Sequence, residues 1–213
     1  MKIGIIGAGN VGATLGRILT KKNHSIVFGV RDPQSAKVQS ALAATGGNAR
    51  AASVGEAASH GQVLILATPW NGTQEAIAAA GDLTDKIIID ATNPIEMTPA
   101  GLAAGLTIGH TTSAAEEIAK WASSAQVVKA FNNIGASCFE NLQFGSQTAT
   151  AFICGDNADA KKIVTNLAED IGFEVVDVGE LKQARLLEPL GMLWIHLAFS
   201  GTGQDFAINL IKR

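Results

Sequence analysis

A doubly wound, mostly parallel α/β sheet is the fold class this sequence predicts, and three observations predict it. Short apolar runs rich in Ile and Val alternate with amphipathic stretches of helix length along the whole chain. The runs are continuously apolar, as strands covered on both faces require. The first run ends in a glycine-rich turn that leads straight into a helical pattern. The reading is a single domain over 1–213, with a core at 1–147 and a C-terminal strand–helix extension at 148–213 packed on the same sheet.

Composition narrows the function classes. At 213 residues, with 47% hydrophobic and 16% charged content, the chain has ample material for one packed core and is not disordered. A formal charge of −3 gives no general attraction to nucleic acid or an anionic membrane. Cys138 and Cys154 lack metal-type spacing and read as reduced, buried thiols. The first strand begins at residue 2 and no apolar run approaches the ~20 residues of a membrane span, so a cytoplasmic protein is expected.

Lys2-Ile3-Gly4-Ile5-Ile6 is the first strand and passes into Gly7-Ala8-Gly9-Asn10-Val11-Gly12. Gly7 permits the tight turn, Gly9 lets backbone N–H groups approach a pyrophosphate, and Gly12 lets the following helix pack on the strand. That helix, over about 11–22, directs its positive end at the phosphates. A strand at 25–29 completes a βαβ unit of roughly 30 residues, the Rossmann dinucleotide-binding arrangement. Its tip, Gly29-Val30-Arg31, has no carboxylate for a ribose 2′-OH and offers a guanidinium fork instead, which favours NADP over NAD. Asp32-Pro33 reads as the N-cap and first residue of a helix over 34–45. Lys37, one turn in, is either a second phosphate partner or a solvated charge.

An edge strand at 49–52 and a capping box, Ser53 to Glu56, opening a short helix to His60 come next. The strand at 63–67 ends in Ala67-Thr68-Pro69-Trp70-Asn71, and ligands collect beyond the carboxyl ends of parallel strands. Pro69 fixes that loop; Trp70 either offers a flat surface to the cofactor or packs in the core. After a helix over 73–80, the strand at 86–90 exits into Ala91-Thr92-Asn93-Pro94. There Asp90 and Asn93 either contact nicotinamide and ribose or satisfy the turn. A second capping box, Ser113 to Glu116, accounts for Glu116 without catalysis. Its helix runs to about 121, and the strand at 126–131, with Ala130 near its end, exits into Asn132-Asn133-Ile134-Gly135. A strand at 149–154, a helix over 158–171 and a strand at 173–178 follow, then one or two helices from 182 to the end. The apolar segment 186–199 suggests a homodimer.

No acid or base stands out. The chain has no Tyr and four His. His24 and His60 read as surface residues and His196 as a core residue, so His110 is the one candidate site histidine. Nothing is spaced to bind a metal. Hydride exchange between a nicotinamide and a flavin-like ring needs only that the two rings be positioned, because both carry their own reactivity.

The glycine turn, the Gly29-Val30-Arg31 tip, Thr68-Pro69-Trp70, Ser113-Ala114-Ala115-Glu116, Val127 to Asn132, Cys154-Gly155-Asp156, Asp177-Val178-Gly179 and Ala184-Arg185 together resemble the NADP oxidoreductases dependent on coenzyme F420. The series is also similar to the oxidoreductase domain of the six-transmembrane ferric reductases. The resemblance spans nearly the whole chain. It implies that Gly7 to Gly12 hold the pyrophosphate, Arg31 the 2′-phosphate and Thr68 to Asn71 the nicotinamide ribose, with Asn132 and Ile134 beside nicotinamide and the acceptor ring. Two residues depart from the deazaflavin enzymes: Val30 stands where Ser is usual, and Asn132 where His is, as in the ferric reductase domains. The second departure keeps FAD and FMN open as diffusible acceptors beside coenzyme F420. Two other readings stay open: an NADP(H)-sensing module that acts on a partner protein without turnover, and an imine reductase related to pyrroline-carboxylate reductases.

Overall fold

In the computed structural model, which describes residues 1–97 and 103–213, one eight-stranded sheet carries the chain. Its strands are β1 (Lys2–Ile6), β2 (Ser25–Gly29), β3 (Ala49–Ala52), β4 (Val63–Leu66), β5 (Ile87–Asp90), β8 (Gln126–Lys129), β11 (Thr150–Gly155) and β12 (Glu174–Asp177). In space they run β3-β2-β1-β4-β5-β8-β11-β12. All neighbours are parallel except β8 and β11, where the C-terminal strands join the sheet antiparallel. The chain winds outward from β1 to β3, then returns to β4 on β1's other side. A crevice therefore opens at the carboxyl ends of β1 and β4, where the winding direction reverses.

Strand residues alternate between two apolar layers, which explains their continuous hydrophobicity. Ile3, Ile5, Phe28 and Ile65 meet α1 (Asn10–Lys21), α2 (Ala36–Ala43) and α6 (Ala158–Ile171). Ile6, Leu64, Leu66 and Ile88 meet the helices of the other face: α3 (Val54–His60), α4 (Thr73–Ala80), α5 (Ala114–Trp121) and α7 (Ala184–Leu197). Two small antiparallel pairs, β6 (Ile95–Met97) with β7 (Ala103–Leu106) and β9 (Gln143–Phe144) with β10 (Gln147–Thr148), were not foreseen from the sequence.

Four further expectations are corrected. The helix expected over 34–45 is shorter, and Ser35 is its N-cap; Asp32 Oδ1 instead accepts the N–H of Gln34 at 2.9 Å in the preceding turn. His24 is buried, with the amino terminus 3.2 Å from its Nδ1, and burial, helped by that charge, lowers its pKa. His196, expected in the core, is exposed because it lies on the outward side of α7. After Gly201 and Gly203, both at positive φ, the chain does not continue as a helix: the Phe206 carbonyl accepts the Trp194 indole N–H at 3.0 Å, and the Ile208 carbonyl accepts the Thr150 N–H at 3.1 Å. No described helix is long and apolar enough to cross a membrane, and no metal-ligand group occurs among the described residues.

Candidate functional site

The three glycines of the turn after β1 are required for different reasons. Gly7 has φ +104°, a conformation L side chains avoid. A Cβ on Gly12 would lie 2.1 Å from the Gly7 carbonyl oxygen, so glycine alone lets α1 lie on the strand. Gly9 is different: a Cβ there would meet nothing nearer than Lys37 Nζ at 4.0 Å. Protein packing does not demand glycine at position 9, whereas a ligand backed against it would. Gly9 is also the N-cap of α1 and provides no side-chain cap, which leaves the first-turn N–H groups available to an anion.

Two clefts meet over this turn, sharing Ala8, Gly9 and Lys37. The first, about 560 Å³, runs over Gly7, Val30 and Arg31 to Ala67, Thr68 and Asn71, with Pro69 at its edge. Arg31 and Lys37 are exposed there and make no ion pair or hydrogen bond among the described residues. The second, about 690 Å³, runs over Asn10 and Val11 to Ala91, Asn93, Asn132 and Ile134, with Trp194 and Phe199 as outer walls. Among the described residues lining it there is no Asp, Glu, His or Cys.

Several candidates lie elsewhere. Trp70 lines neither cleft; its ring stacks on Trp121 at 5.4 Å, so its flat face is already used between helices. Gly12 and Ala130 are buried behind the clefts. His110 is exposed at φ +61° and lines neither cleft. Cys154 is a buried thiol whose pKa is pushed up to about 12 by burial, and burial raises Cys138 as well, so neither is reactive.

At the second cleft two asparagines hold each other. Asn132 Nδ2 donates to Asn93 Oδ1 at 2.9 Å and to the Leu187 carbonyl at 2.8 Å, while Asn93 Nδ2 donates to the Asn132 carbonyl at 2.7 Å. Phe131, at φ +64°, turns the chain sharply between β8 and Asn132. Its ring is held against Phe139 and Phe173, 6.0 and 5.8 Å away, which maintains the strained conformation. Both Nδ2 protons of Asn132 are engaged, and its Oδ1, like both polar side-chain atoms of the neighbouring Asn133, is buried without a hydrogen-bond partner. A buried acceptor without a partner, in a residue that lines a cleft, is a group that a donor from outside the chain can satisfy.

Beneath this pair lies a buried ionic cluster that the sequence reading missed. Lys129 is fully buried, and its Nζ donates to Asp90 Oδ2 at 2.8 Å and the Thr92 carbonyl at 2.6 Å and lies 3.0 Å from Glu188 Oε1. Asp90 also accepts the N–H and hydroxyl of Thr92, so it serves the turn and does not reach the cleft. Glu188, on α7, accepts the N–H groups of Ala114 and Ala115 at the start of α5. Burial works against the Lys129 ammonium, but the charges of Asp90 and Glu188 outweigh it and its pKa is raised; burial raises Glu188. One signal was present in the sequence: Asp90 and Lys129 each precede an Asn by three residues at the exit of a strand.

The sequence profile of the family described as NADP oxidoreductase, coenzyme F420-dependent, matches residues 2–94. The F420-dependent NADP reductase of Methanothermobacter marburgensis is 30% identical over 99% of this chain and 98% of its own length. The rat metalloreductase STEAP3 is 32% identical over 90% of this chain, which spans 37% of that longer protein. Among solved structures, a protein of Arthrobacter sp. FB24 assigned as an F420-dependent NADP reductase superposes over the full length of both chains with a TM-score of 0.91 and 27% identity.

Proposed function

Because the chain belongs to the NADP oxidoreductases dependent on coenzyme F420, and is therefore an NADP-dependent oxidoreductase, we propose that it exchanges a hydride between NADP(H) and the deazaflavin or flavin ring of a diffusible acceptor. The observation that carries this reading is the continuity of the two clefts across Gly9, where space is kept open although no neighbouring protein atom requires it.

In this reading the turn and the first N–H groups of α1 hold the pyrophosphate, and Arg31 with Lys37 holds the 2′-phosphate. Thr68 and Asn71 border the ribose. The unpaired Asn132 Oδ1 accepts the carboxamide N–H of the nicotinamide and fixes the ring's orientation. Ile134 and Trp194 flank the acceptor ring. Bound NADPH supplies the hydride, and the chain's contribution is alignment without an acid or base. Exposed Leu186, Leu193, Leu197 and Phe199 on and after α7 fit the cover of a second subunit.

Stopped-flow mixing of protein and NADPH with coenzyme F420, FMN or FAD tests the reading: loss of absorbance from the reduced nicotinamide is expected with at least one ring. In Arg31→Ala, NADPH affinity should fall roughly 10- to 100-fold, the worth of a charge-assisted hydrogen bond, while NADH affinity holds. No oxidation with any ring, or equal losses for the two nucleotides, overturns it.

A further inference from the structure

The Lys129 cluster has no part in the reading above, since Asp90, Lys129 and Glu188 line neither cleft. Its place in the fold nonetheless connects it to the reacting end. Asp90 and Lys129 are register partners at the ends of the adjacent parallel strands β5 and β8. Three residues beyond each stand Asn93 and Asn132, which bond to one another. Helix α7 enters both layers. Glu188 joins the ionic layer, and next to it the Leu187 carbonyl accepts from Asn132 Nδ2. Gly191, one turn on, presses so closely on the amide layer that a Cβ would sit 2.7 Å from Asn93 Oδ1 and 2.9 Å from Asn132 Nδ2.

We infer that Glu188 is a positioning residue: by tying α7 to Lys129 below and to the start of α5 beside it, it sets how α7 presses on the two asparagines and so where the free oxygen of Asn132 points. This rests on the proposed role of Asn132 toward nicotinamide. The contacts suit a carboxylate alone. Glu188 accepts from Lys129 and from two backbone N–H groups, so both of its oxygens act only as acceptors. A glutamine would have to turn its own N–H₂ toward one of those donors, and α7 would shift to relieve the clash.

The test uses Glu188→Gln and Gly191→Ala in the full chain. The second variant leaves the ionic cluster intact and disturbs only the contact with the asparagines. Two readouts are taken. One is the side-chain amide resonance pair of Asn132 in a proton–nitrogen correlation spectrum with NADPH bound, identified by its absence in Asn132→Asp. The other is the single-turnover hydride transfer rate beside the NADPH dissociation constant. In both variants the amide pair should move or broaden, and hydride transfer should slow by roughly 10- to 100-fold with less than a threefold change in NADPH affinity, as expected of misaligned reactants. An amide pair unmoved in both variants, or variants that lose melting temperature while keeping the wild-type transfer rate, would make the cluster a stabilising feature only and overturn the inference. If wild-type protein oxidises NADPH with none of the rings, the proposed activity fails, and the amide resonances alone decide this inference.

Discussion

The cleft beside Arg31 is lined by residues between Ile6 and Ala79, whereas the one beside Asn132 draws its lining from Ala8 through to Gln204, and the hydrogen bonds of Asn132 span 39 and 55 residues. In the first, the cations are left free: Arg31, and Lys37 at the seam of the two clefts, face solvent, and the start of α1 is uncapped. Behind the second, Asp90, Lys129, Glu188 and the asparagine pair engage one another, and Asn132 Oδ1 is left over together with both polar atoms of Asn133. A flexible anionic phosphate can be gathered by mobile cations and open N–H groups. A ring that must meet a second ring at one angle needs a rigid wall, and rigidity here comes from buried polar contacts that only one geometry satisfies.

That contrast can be broken most directly at Lys129. Lys129→Met fits the space but leaves Asp90 and Glu188 buried without a counter-charge, and removing one partner of a buried ionic cluster costs about 3–5 kcal/mol. Urea unfolding should show a loss of this size. A loss near 0.5 kcal/mol, the scale of a surface change, would mean that the second cleft does not depend on its buried charges.

The same contrast sets what could be read from sequence. The glycine turn, the Arg31 tip and the capping box at Ser53 are local, so spacing alone places them, and the helix at Ala158–Ile171 matches its expected bounds. Trp70 stayed open between cofactor and core because its partner, Trp121, lies 51 positions away, and no local pattern shows which face of an aromatic ring is covered. Glu188 was passed over for the same reason. In an apolar helix a carboxylate reads as an outward residue, and only the packing of α7 against β5, β8 and α5 turns it inward. The tail after Gly203 follows contacts with Trp194, whose indole donates to the Phe206 carbonyl and stacks on its ring, and with Thr150, and partners so far apart in sequence leave no local pattern.

Gly9 offers a milder way to sharpen the comparison, because it separates ligand space from protein packing. Its φ of −76° suits alanine, and the new methyl group would meet only the tip of Lys37. Gly9→Ala should therefore cost no more than about 1 kcal/mol of stability, because alanine is a poorer N-cap than glycine but restricts the unfolded chain. Nucleotide affinity should fall by roughly tenfold or more, the equivalent of one charge-assisted hydrogen bond, for NADPH and NADH alike. Thermal unfolding beside fluorescence titration checks this. A melting temperature that drops in step with affinity would show that glycine is needed there by the fold, and the first cleft would then resemble the second.

The smallest effect is expected where α7 has a second anchor, at the half-exposed rim. Arg185 donates to both oxygens of Glu116, at 2.6 and 2.9 Å, and Ser113 donates to the same carboxylate at 2.7 Å. The Arg185 hydrogen bond, with lesser help from Ser113, holds the Glu116 pKa below its ordinary 4.5. A carboxyl whose folded pKa is depressed contributes stability that is present above the unfolded pKa and is lost as pH falls through the folded one. Glu188 has the opposite sign: burial raises its pKa, so it costs stability at neutral pH and is relieved by acid. Glu116→Gln should accordingly melt slightly below wild type at pH 7, with the gap closing as the pH drops under about 4.5, the ordinary value for a glutamate. A pH series of melting temperatures measures it. A gap that stayed constant through that window would mean that the rim pair acts by packing, and among the described residues the buried anchor at Glu188 would be left as the point where charge fixes α7.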